Sequence, residues 1–116
     1  MTLKRRSNSS SLLLISIAAL VFALFPAQAQ SSPTDGAALF KAKCAMCHGP
    51  DGAGNTPMGK KLSVRDLRSA EVQKQPDADL MHVIAQGKAK MPAFGKSLNE
   101  DQIKLLVTYI RELGKK

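Results

Sequence analysis

A chain of 116 residues has room for one small domain at most. Its formal charge of +8 would suit a nucleic-acid partner, but the exported character of its first residues argues against nucleic acid. It favours an acidic protein face or a membrane surface instead, or a scattered, merely solubilising charge.

Lys4, Arg5 and Arg6 form a basic start, followed by an apolar run from Leu12 to Phe25 and a small-x-small pattern at Ala27-Gln28-Ala29. This is the layout of a secretory signal. This run of 14 residues falls short of the ~20 that a membrane span needs. The expected organisation is therefore a cleaved signal over 1–29 and one domain over 30–116, working in the periplasm or another extracytoplasmic compartment without membrane insertion after cleavage. Removing three cations leaves that domain at +5.

Beyond the signal, the aromatic residues are Phe40, Phe94 and Tyr109. A domain this small commonly needs a staple, and Cys44 and Cys47 could close only a very tight ring. A large apolar cofactor would fill the middle of such a fold.

Thr34 or Asp35 caps an expected helix from Gly36 to about Met46. Residues 48–61, with four glycines and two prolines, read as a loop without periodicity. Ser69 starts a short helical segment to about Lys74. Asp77 starts another, with Leu80, Val83 and Ile84 on one face and Gly87 as its stop. Residues 88–98 are irregular around Pro92 and Gly95. Asn99 and Gln102 then form a capping box for a helix whose buried stripe is Ile103, Leu106, Val107, Ile110 and Leu113, widened by Tyr109. No strand pattern stands out. The expected fold class is all-α, with three or four short helices and long loops around one bound group.

Cys44-Ala45-Met46-Cys47-His48 has the c-type haem attachment spacing. On a helix, residues three and four apart share a face. Two thiols can then add to the two vinyl groups at a haem edge while the imidazole reaches the iron. Ala37 and Phe40 lie on the same face, available to the ring or to a neighbouring helix. A thioredoxin-like motif would need a βαβ setting, and a structural zinc site would draw on Cys44, Cys47, His48 and His82 together. A plain disulfide is the remaining rival.

The sixth iron ligand must come from the other face of the ring. Met91 suits the role best, because it follows the Gly87 stop and Pro92 stiffens its turn. A thioether favours reduced iron and raises the potential relative to a second imidazole. Met58 and His82 remain alternatives, while Met81 reads as core packing.

The stretch Cys44 to Gly49, the run Gly87-Lys88-Ala89-Lys90-Met91-Pro92-Ala93-Phe94 and the later Leu-Val-Thr-Tyr-Ile-Arg resemble class I bacterial c-type cytochromes. The likeness is greatest to short monohaem forms, such as photosynthetic soluble cytochromes and the cytochrome domains of cbb-type oxidases, and it runs from Asp35 to Leu113. It implies haem c held through Cys44 and Cys47, with His48 and Met91 as axial ligands. It also implies that the first helix crosses the final one, with Gly36 and Phe40 meeting Tyr109 and Ile110. A proline carbonyl often orients the axial histidine in such folds, and Pro57 is the nearest match.

The expected role is one-electron transfer between redox protein partners, by a monomer and without catalysis on a substrate. Lys60, Lys61, Lys88, Lys90 and Lys96 would form a cationic rim for acidic docking faces. The alternative is a haem-based ligand-binding or weak peroxidase protein with a labile sixth ligand.

Overall fold

The computed structural model describes residues 35–116. The expected signal segment lies outside the described residues. No helix among the described residues is long and apolar enough to cross a membrane.

Among the described residues six α-helical segments follow one another: α1 (Gly36–Lys43), α2 (Ala45–His48), α3 (Pro57–Leu62), α4 (Ala70–Gln73), α5 (Asp77–Gln86) and α6 (Glu100–Leu113). Among the described residues the only β pairing is one isolated bridge, Lys88 to Met91. The all-α expectation holds, although the helix count is higher than expected for two reasons.

The first expected helix breaks at Cys44, whose φ of −116° departs from helical geometry, and a separate turn then carries residues 45–48. The expected loop 48–61 contains α3. Thr56 is its N-cap and Pro57 its first residue, where the missing proline N–H costs nothing and φ is preset. Six residues are too few to show periodicity, so only the cap announces this helix.

The longer helices start and stop as their sequences dictate. Asp35 caps α1 by accepting from the Ala37 N–H. Asn99 and Gln102 satisfy each other's backbone donors at the start of α6, at 2.9 and 3.0 Å. The N-cap of α5 is Pro76, without a side-chain bond, and Asp77 occupies its first helical position. There the carboxylate suits the helix dipole and also receives Arg111.

The core gathers Leu39 and Phe40 of α1, Val72 of α4, Leu80 and Ile84 of α5, Leu98, and the whole expected α6 stripe from Ile103 to Leu113. Val83 is only half-buried. α1 crosses α6 at Gly36, where an added Cβ would run into the Leu105 carbonyl and press on the Tyr109 Cβ. Phe40 meets Tyr109, with ring centroids 5.2 Å apart and a tilt of 52°. The crossing expected from Gly36 and Phe40 is therefore present, with Leu105 as an additional partner.

Side chains tie the middle of the chain to α6. The Gln73 amide donates to the carbonyls of Leu67 and Ile110, at 2.7 and 3.0 Å. Arg111 donates to the Gln73 and Gln75 carbonyls and to Asp77 Oδ1. These bonds hold residues 67–77 against α6.

Candidate functional site

Cys44, Cys47 and His48 sit on one tight turn. The N–H groups of Cys47 and His48 both donate to the Cys44 carbonyl, at 3.2 and 2.9 Å. Both thiols are free and half-buried. Burial pushes the Cys44 thiol up to about 11, and the neighbouring Cys47 adds to the shift. It therefore stays protonated at neutral pH.

The turn ends at Gly49, whose φ is 77°, and the loop beyond it folds back to satisfy the carbonyls left over. Gly54 N–H donates to the His48 carbonyl at 2.7 Å. The Thr56 hydroxyl donates to the Cys47 carbonyl and accepts from the Gly59 N–H, each at 2.8 Å. One hydroxyl thus joins the attachment turn to the first turn of α3.

Burial lowers the pKa of His48, while the nearby Arg65 carbonyl opposes that shift. The Arg65 contact falls short of a full hydrogen bond, and Nδ1 is buried without a partner. The main-chain acceptor beside this imidazole belongs to Arg65 and not to the expected Pro57, which is occupied as the first residue of α3. Arg65 was not legible in advance, since a carbonyl's direction depends on how residues 63–67 bend after the left-handed Ser63 cap.

Met91 is half-buried and packs against the same core cluster as Cys44 and Ala45. Gly87, at φ 75°, stops α5, and there is no room there for a Cβ beside the Met91 carbonyl. A two-residue turn follows, in which Lys88 and Met91 exchange N–H to carbonyl bonds of 2.9 and 3.2 Å. Phe94 and Gly95 N–H groups then pin the chain back onto the Ile84 and Ala85 carbonyls, both at 3.0 Å.

The alternative ligands are placed otherwise. Met58 is the second residue of α3 and 39% exposed. His82 is exposed on α5. Together with Met81, Leu98 and Glu100, His82 lines a shallow groove of about 500 Å³ that includes none of Cys44, Cys47, His48 or Met91. Met81 packs on the core, as expected.

Two free thiols and a half-buried imidazole on one turn suit a haem c. Burial keeps that imidazole neutral, so a ring nitrogen lone pair is available to iron. The orphaned Nδ1 faces inward, where ligation at the other nitrogen would fix the tautomer.

Residues 31–110 match the family described as cytochrome c oxidase, cbb3-type, subunit III. The chain belongs to that family of monohaem c-type cytochromes. The cytochrome is 38% identical to a cytochrome c6 of Rippkaea orientalis, over 84% of this chain and 89% of that one. It is 37% identical to a cytochrome c6 of Synechococcus sp., over 71% and 70%. The solved structure of the KustC0563 c-type cytochrome is similar at a TM-score of 0.64 and 33% identity, covering 68% of this chain and 96% of that one. The fold is cytochrome c-like, and the cytochrome is a c6-like electron carrier, not an enzyme. Membership implies a covalently attached haem c.

Proposed function

We propose that this cytochrome is an exported one-electron carrier in which Cys44 and Cys47 hold the haem through thioethers and His48 and Met91 are the axial ligands. The observation that carries the reading is the turn at Cys44–His48, where the Cys47 and His48 N–H groups share the Cys44 carbonyl and bring two free thiols and the imidazole onto one turn. Bound there, haem c supplies a one-electron couple.

His48 offers a nitrogen that burial keeps unprotonated. Met91, leaning on the core, offers a soft thioether that favours the reduced state and raises the potential. Were His48 and Met91 both to hold the iron, no position on it would be left open for a substrate.

The partners are redox proteins with acidic docking faces. Lys60, Lys61, Lys88, Lys90 and Lys96 are all exposed and make no ion pair among the described residues. Most described acidic residues are instead engaged by Arg65, Arg68, Arg111 and Lys104. α3 and the 87–98 connection thus keep a free positive charge that steers an acidic face. The signal over 1–29, cleavage after Ala29, a mature domain of 30–116, a periplasmic or other extracytoplasmic location and a monomeric state complete the proposal.

The test is expression with the haem attachment machinery, followed by a haem-stained denaturing gel and visible spectra of both redox states. Haem that survives denaturation, with low-spin iron and a thioether band, is the expected result. M91A should keep the haem attached, lose that band, bind exogenous ligands and have a lower potential. A band unchanged in M91A would move the ligand to Met58, and colourless protein would refute the attachment site.

A further inference from the structure

The turn that presents Met91 contains a residue in an unfavourable conformation. Ala89 has φ 53°, the left-handed region that an alanine Cβ disfavours and glycine does not. The other left-handed non-glycine among the described residues, Ser63, closes α3 as its C-cap and donates its N–H to the Lys60 carbonyl. Ala89 closes no helix. It sits at the first central position of the turn whose ends, Lys88 and Met91, are joined by reciprocal bonds.

The segments on either side are fixed. Upstream, the Gly87 N–H donates to the Val83 carbonyl at 2.9 Å, and downstream Phe94 and Gly95 are pinned to the end of α5. Lys88, Ala89 and Lys90 are exposed between these anchors, so the turn is free to relax. Relaxing Ala89 toward negative φ breaks the Lys88–Met91 pairing and swings Met91 with it.

We infer that Ala89 is a positioning residue whose left-handed backbone weakens the hold of the 87–91 turn on Met91 and so sets how readily the iron loses its sixth ligand. This rests on the reading of Met91 as that ligand. Its methyl group is exposed, so replacing it opens no cavity and changes mainly the backbone preference. Glycine removes the steric penalty but gives the released turn more freedom. The first effect is the larger, leaving a net gain of about threefold in the closed population. Valine, branched at Cβ, is worse than alanine at positive φ.

The experiment is titration of the ferric holoprotein with imidazole in wild type, A89G, A89V and M91A, with hydrogen exchange of the Met91 amide read alongside. A89G should weaken imidazole binding about threefold and slow Met91 exchange by a similar factor, with amides of α6 unchanged. A89V should shift both in the opposite direction. If A89V does not fold, A89G against wild type still decides. Equal imidazole affinity in A89G and wild type, with the thioether band lost in M91A, overturns this inference and leaves the ligand reading intact. A thioether band retained in M91A overturns both.

Discussion

The Thr56 hydroxyl connects two pieces of backbone that have no other partner for those atoms. It gives its proton to the Cys47 carbonyl and receives the Gly59 N–H. Valine has nearly the same shape and can do neither, so both groups would be left unpaired in a half-buried place. The expected cost is about 1–3 kcal/mol, or a fall of several degrees in melting temperature for a domain this small. Thr56→Ser should restore most of the loss, as seen by thermal unfolding of the holoprotein. Were Thr56→Val as stable as wild type, water would be replacing the hydroxyl and the link would be dispensable. The residue is unremarkable in sequence, although Thr followed by Pro is a helix-start signal that could have revealed both α3 and this bond.

The α1–α6 crossing depends on Gly36 having no side chain. A methyl group there meets the Leu105 carbonyl, an atom that cannot move without moving α6. Gly36→Ala gains at most about 1 kcal/mol in helix propensity, and forced repacking costs about 1–3 kcal/mol. Net destabilisation is therefore expected in denaturant unfolding, and equal or greater stability would show that the crossing yields easily. What was legible in advance follows the same logic. α6 buries all five stripe residues because fourteen residues show a helical period clearly, and its capping box is written in side chains. α2 and α4 have four residues each and α3 has six, too few for a period, so their positions depend on contacts made far along the chain. Cys44, Cys47 and His48 could be assigned chemistry from spacing alone. The Arg65 carbonyl and the Gln73 and Arg111 bonds could not, because they depend on where main-chain atoms end up.

Among the described residues, the charges of the molecule are unevenly paired. Acidic side chains cluster with arginines and Lys104, at pairs such as Arg65–Glu71 and Arg111–Asp77. The lysines of α3 and the 87–98 connection remain free to act at a distance. Exposed pairs of this kind contribute little to stability, so the arrangement matters more for encounter than for folding. Electron exchange with an acidic partner should slow several-fold as ionic strength rises from about 10 to 150 mM, because the Debye length contracts from ~30 to ~8 Å. Stopped-flow rates across that range are the measurement, and rates indifferent to salt would remove the lysines from the docking face.

The pairing of α1 with α6 also has a consequence in time. Phe40 finds Tyr109, and Gly36 finds Leu105, only after the whole intervening chain has been made. A core closed by such distant contacts cannot begin to consolidate early. The Cys44–His48 turn directly follows α1 and so waits beside an unfinished core while the remainder emerges. Until α6 docks on α1, there is an interval in which both thiols can be reached before the protein shuts around them.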